Sequence, residues 1–139
     1  MIFVDTNYFL RFLLADIDSE HQEAKQFFLK ASNGAFLTFT SVIVIFEVYW
    51  VILGQFKKDK QSLASLKEKV VNILNKLLNL QFIEIENHDL IIKALDIYLK
   101  SNLGLVDCYN LVYAKSKKAE GFMTFDKDLL KKIVKDKNE

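Results

Sequence analysis

The sequence predicts an α/β fold built around a mainly parallel sheet, on three observations. Short β-branched and aromatic runs recur at residues 1–4, 35–39, 82–85 and 122–124. Longer stretches of helical periodicity separate them. Strands that alternate with helices in this way pack as layers about a parallel sheet.

Met1-Ile2-Phe3-Val4 reads as a short buried strand, and Asp5-Thr6-Asn7 supplies turn and N-cap side chains. Tyr8 to Leu14 is apolar except for Arg11 and reads as a short helix. Ser19 is the expected cap of the next helix, with Ala24, Phe27, Phe28 and Ala31 on one face and Asn33-Gly34 at its end. Ala35 to Phe39 is the second strand, and Thr40-Ser41 caps the helix after it. That helix, Val42 to Leu53, is rich in β-branched residues but too long for an ordinary strand, so it reads as a buried helix ending near Gly54.

A stripe of Leu63, Leu66, Val70, Ile73, Leu74 and Leu77 marks the next helix. Phe82 to Ile85 is the third strand. Asn87 caps a helix carrying Ile91, Ala94, Leu95 and Tyr98, and Asn102-Leu103-Gly104 breaks the chain. Val106 to Lys118 reads as helix, Phe122-Met123-Thr124 as a fourth strand, and Lys127 to Lys135 as a short basic helix before a frayed end.

At 139 residues the chain is predicted to be one domain, with an ordered core over about residues 1–130 and a short charged tail. Charged residues make up 27%, apolar residues 51%, and the net charge is +1, so no global field marks a nucleic-acid binder. Residues 115–139 hold eight Lys against five Asp and Glu, which reads first as a solvated helix face. A single cysteine, Cys108, excludes an internal disulfide and a cysteine-based zinc site. No signal sequence or membrane span is expected, and a cytoplasmic location is.

Three carboxylates have no charged neighbours in their own segments. Asp5 has none before Arg11, Glu47 is alone between Lys30 and Lys57, and Asp107 is alone between Lys100 and Lys115. Asp126 closes the run Gly121-Phe122-Met123-Thr124-Phe125. An isolated carboxylate is costly to bury unless paired or bound to a cation. Asp5 and Asp126 each follow a predicted strand directly, at the edge where open α/β sheets bind ligands. Glu47 lies nearly two helical turns past Ser41, and Asp107 falls in the first turn of its helix. Four acids meeting there call for a hard divalent cation, Mg²⁺ or Mn²⁺, and hence for phosphodiester hydrolysis.

Simpler roles compete at each position. Asp5, Asp107 and Asp126 are natural helix caps, and Glu47 is a candidate to pair with Arg11 or a lysine. Asp128 suits the first turn of the last helix. Arg11 is a candidate RNA phosphate contact or a salt-bridge partner. His21 and His88 sit in polar helix-start contexts, and Cys108 reads as a small buried residue. An aspartyl-phosphate phosphatase normally carries a second acid two residues after the first, where this chain has Asn7. A receiver domain needs an acceptor aspartate on a central strand, where this chain has Phe82-Ile83-Glu84-Ile85-Glu86.

Four motifs occur in order: Val4-Asp5-Thr6-Asn7; Thr40-Ser41 leading to Glu47 in Phe-Glu-Val-Tyr-Trp; Leu105-Val106-Asp107-Cys108-Tyr109; and Thr124-Phe125-Asp126-Lys127-Asp128. In this the chain resembles the PIN-domain family, most closely the VapC-type toxin ribonucleases. The resemblance implies a three-layer α/β/α sandwich and a metal-dependent endoribonuclease acting on RNA. It implies Asp5 and Asp107 as principal ligands of Mg²⁺, with Mn²⁺ as a substitute, and Asp126 as a third. Glu47 matches the acid that orients water. Thr6 and Thr124 match supporting hydroxyls, with Asn7 and Ser41 bracing them. It further implies a homodimer and, for a toxin, a cognate antitoxin protein. A non-catalytic PIN-like RNA-binding or regulatory module is the alternative. One departure concerns an extra short strand after the Thr-Phe-Asp segment, for which the charged tail from Ile133 leaves little room.

Overall fold

The computed structural model describes residues 1–138. Two compact units divide the chain, Met1–His88 and Asp89–Glu139. Among the described residues there are three strands and seven helices.

The sheet belongs to the first unit and is parallel throughout. Its strands are β1 (Ile2–Phe3), β2 (Thr38–Thr40) and β3 (Ile83–Ile85), in the order β1-β2-β3. Ile2 is in register with Thr38, and Thr38 with Ile83. Two threonines on β2 tie neighbours to it by side chain as well as backbone. The Thr38 hydroxyl donates to the Phe82 carbonyl at 2.5 Å, and the Thr40 hydroxyl to the Val4 carbonyl at 2.8 Å.

The helices of this unit are α1 (Thr6–Leu14), α2 (Asp18–Ser32), α3 (Val42–Phe56) and α4 (Leu63–Leu78). Aromatic contacts bind α1 to α2: the Phe9 ring stacks on Phe28 at 5.6 Å, and Phe12 meets Phe28 edge-on at 5.1 Å. Such pairs add about 0.5–1.5 kcal/mol beyond their area burial. On α4 the predicted stripe is the buried one at Leu66, Val70, Leu74 and Leu77, whereas Leu63 in the first turn is 53% exposed. Ser41 and Ser62 cap α3 and α4 by accepting the N–H groups of Val44 and Ser65.

The second unit begins one residue into α5 (His88–Lys100) and continues with α6 (Leu105–Ser116) and α7 (Lys127–Lys137). On α5 the buried set is Ile91, Ala94, Leu95 and Tyr98, as its periodicity predicts. On α6 it is Leu105, Cys108, Tyr109 and Val112.

Four expectations need correction. The fourth strand at residues 122–124 does not form, and among the described residues no strand follows Ile85. Met123 is 97% exposed and nothing pairs with this backbone as a ladder, so apolar composition alone did not make a strand. The second strand starts at Thr38 rather than Ala35, because Gly34, at φ +81°, and the bend after it delay the extended run. Ser19 lies inside α2; Ile17 holds its N-cap position and makes no side-chain cap bond. The first strand is not buried: Ile2 is 40% and Phe3 47% exposed. The expected fraying of the chain end falls partly on residue 139, outside the described residues.

Candidate active site

The first unit joins Asp5 to Glu47 through one threonine. Asp5 ends the β1 segment in extended conformation and caps α1, its Oδ1 accepting the Thr6 N–H at 2.8 Å. The Thr6 hydroxyl donates to Glu47 Oε2 at 2.5 Å. Thr6 is buried and in the first turn of α1; Glu47 comes from the second turn of α3. A backbone donor and a side-chain donor of one residue thus hold two carboxylates that are 42 positions apart in sequence. The Thr40 hydroxyl on the Val4 carbonyl fixes the backbone just before Asp5. Thr40 was expected only as a cap; its place at the last position of a strand with alternating burial was the signal for this second role.

The second unit brings two acids within electrostatic reach of each other. Asp107 lies in the first turn of α6 and is half-buried, and Asp126 caps α7 by accepting the Leu129 N–H at 2.9 Å. Burial, and then the charge of Asp126, raise the Asp107 carboxyl above the usual carboxylate range. Asp107 does not cap its helix; Gly104 holds that position without a side-chain bond. The Thr124 hydroxyl accepts the Asp126 N–H at 3.0 Å and so orients the cap residue.

The premise of burial does not hold for most of these acids. Asp5, Glu47 and Asp126 are solvent-exposed. Asp126 also follows an irregular segment, not a strand. Glu47 makes no ion pair among the described residues, with Arg11 or with any lysine. Arg11 is engaged elsewhere: its Nε donates to Glu20 at 2.5 Å and its Nη1 to Asp16 at 3.1 Å. The hydrogen bond to Glu20, partly offset by desolvation, and the nearby acids raise its proton affinity further. A phosphate at Arg11 would share the guanidinium with both acids. Asn7 and Arg11 line a cavity of about 150 Å³ together with Tyr8, Glu20 and Glu23, a rim with two carboxylates.

Both histidines serve the fold. His21 Nδ1 donates to the Arg11 carbonyl at 2.9 Å and His88 Nε2 to the Leu78 carbonyl at 2.7 Å. Cys108 is fully buried.

The donor chemistry fits a hard divalent cation, since every candidate ligand is a carboxylate oxygen. Among the described residues, however, no three His, Cys, Asp or Glu side chains stand grouped to hold an ion. Among the described residues no helix is long and apolar enough to cross a membrane.

Comparison with curated proteins and with solved structures yields no match. The family model for the PIN domain matches residues 2–135, which include all four carboxylates and run through both units. The parallel sheet and the alternation of strands with helices agree with that fold. The chain therefore belongs to the PIN-domain family, whose members are generally nucleases.

Proposed function

We propose that this chain is a Mg²⁺- or Mn²⁺-dependent endoribonuclease that hydrolyses RNA phosphodiester bonds, with Asp5, Glu47, Asp107 and Asp126 as its functional acids. The observation that carries it is the Thr6 bridge between Asp5 and Glu47, in a chain whose PIN match also takes in Asp107 and Asp126. Asp5, Asp107 and Asp126 would hold the cation. When bound, it supplies an activated water and offsets charge developing on the phosphate.

The remaining work belongs to the chain's own groups. Thr6 orients the carboxyl of Asp5 through its backbone N–H and that of Glu47 through its hydroxyl. Glu47 Oε2 is taken by that bond, which leaves Oε1, without a hydrogen bond among the described residues, to align the attacking water and accept its proton. Thr124 steadies Asp126, Ser41 fixes the start of α3 below Glu47, and Asn7 stands next in α1.

The toxin role is part of the same reading: a homodimer in the cytoplasm, restrained by a cognate antitoxin protein. A second reading, a non-catalytic PIN-like RNA-binding or regulatory module, is favoured by one observation, the lack of three grouped donors among the described residues.

Cleavage of a panel of structured RNAs, with and without EDTA, separates the two. The nuclease reading expects cleavage in Mg²⁺ that EDTA stops and that Asp5→Asn abolishes. Cleavage that survives EDTA, or that is unchanged in Asp5→Asn, overturns the metal mechanism.

A further inference from the structure

Helix α3 exposes a single narrow face. Ile43 is 64% exposed and Trp50 56%, and Glu47, Val51 and Gly54 lie open between and after them. At 3.6 residues per turn these positions fall within one stripe, with Lys58 continuing it just beyond the helix. Glu47 is its one acidic group. Trp50 follows about 4.5 Å further along the axis. Tyr49, 5.1 Å away between ring centroids, buttresses the indole from one side. One turn on, Gly54 has no side chain, and a Cβ placed there would meet nothing within 4 Å. The flank of the indole toward the C-terminal end of α3 is therefore an open ledge.

Lysines gather past that end. Lys57, Lys58 and Lys60 are exposed and form no ion pair among the described residues, and Lys69 reaches over the Phe56 ring at 5.9 Å. Against Asp59, the three lysines of residues 57–60 leave a local surplus of two positive charges. That exceeds the roughly half negative charge of a helix C-terminus.

Resting on the nuclease reading above, we propose that this face is the track for single-stranded RNA: a nucleobase stacks on Trp50 over the Gly54 ledge while Lys57, Lys58 and Lys60 hold the backbone beyond it. An apolar face alone fits a second protein equally well. The unpaired lysines at one end make this one complementary to a polyanion, and Glu47 of the candidate site at the other is the group that polyanion must reach. A duplex hides the base faces that such a platform needs. Trp50 is thus a positioning residue for substrate, and the cavity beside Arg11, with its acidic rim, is not the path.

Trp50 is the only tryptophan, so its fluorescence reports on this face alone. The probe is an uncleavable 2′-O-methyl oligoribonucleotide of about eight nucleotides, single-stranded or annealed to its complement. The single strand is expected to quench Trp50 saturably, and the duplex is not. By anisotropy of a labelled probe, Trp50→Ala and Gly54→Leu each weaken Kd by about 5-fold or more, whereas Trp50→Phe keeps most of the affinity. Each of Lys57→Gln and Lys58→Gln lowers the salt slope by about 0.7.

Absence of saturable quenching overturns the proposal. So does a Trp50 emission that is already blue-shifted, shielded from acrylamide and released on dilution, which assigns the face to a second copy of the chain. Cleavage in Mg²⁺ is read separately. Wild type that binds but does not cleave overturns the nuclease reading alone. Cleavage by Trp50→Ala with unchanged KM overturns the track alone.

Discussion

The two units carry the same side-chain chemistry under opposite local conditions. In the first, Asp5 and Glu47 each accept a hydrogen bond from Thr6. In the second, Asp107 is half-buried beside Asp126, and its proton is held more tightly than usual. One pair is thus held in place by donors, and in the other a single carboxyl, Asp107, ionises against burial and a neighbouring charge that a cation would offset. Isolation in sequence marks Asp5, Glu47 and Asp107 alike; their surroundings in space make them different.

The largest effect expected is on catalysis by the first pair. Asp5→Asn keeps a side chain that caps helices well, so α1 should persist while the charge is lost. Cleavage should vanish with a melting temperature close to wild type. Glu47→Gln still accepts the Thr6 hydroxyl but cannot take a proton from water, and kcat should fall by about 10²–10⁴ with KM little changed. A variant of either kind that cleaves normally would remove that carboxylate from the site. The bridge itself is tested by Thr6→Val, which preserves shape and the backbone bond to Asp5 but deletes the hydroxyl. Chemical denaturation should show a loss of about 1 kcal/mol, with reduced kcat as Glu47 loses its orientation. An undiminished kcat would mean that the bridge is structural only.

Why the pairs differ was only partly legible in the sequence. Periodicity located the helices well: Leu66, Val70, Leu74 and Leu77 on α4, and Ile91, Ala94, Leu95 and Tyr98 on α5, are buried as read. Segment 122–124 does not form the strand its composition suggests, because β-propensity reflects packing against a neighbour and Met123 is 97% exposed. The four acids stand out in the sequence one by one, and the PIN match spans their positions. Their exposure was not legible, because a gap between charged residues along the chain says nothing about which helix face meets solvent. Glu47 illustrates this: its segment is almost wholly apolar, yet it projects from the single open face of α3. The Thr6–Glu47 bond was equally invisible, since it joins residues 41 positions apart.

The second pair should reveal itself in the pH dependence of metal-free stability, a smaller effect. Asp107 binds its proton more tightly folded than unfolded, where its pKa is about 4. Its contribution to stability is therefore complete below about pH 4 and is lost as pH rises through the raised folded value. In EDTA, Asp107→Asn should lack this loss, melt higher than wild type at pH 7 and gain less from added Mg²⁺. Equal pH slopes for variant and wild type would show that the half-buried carboxyl ionises without penalty.

The smallest expected effect separates the two causes of that shift. Asp126→Asn removes the charge facing Asp107 but leaves an oxygen to accept the Leu129 N–H, so α7 stays capped. Of the two causes, burial is the larger and the Asp126 charge the smaller. The Asp107 carboxyl, followed by carbon NMR through a pH titration, should move back toward the ordinary range without reaching it. A full return would assign the shift to repulsion alone. No movement would mean that the charge of Asp126 does not reach Asp107 through solvent. In that case the two acids do not form a pair, and the second unit differs from the first simply by a half-buried carboxyl.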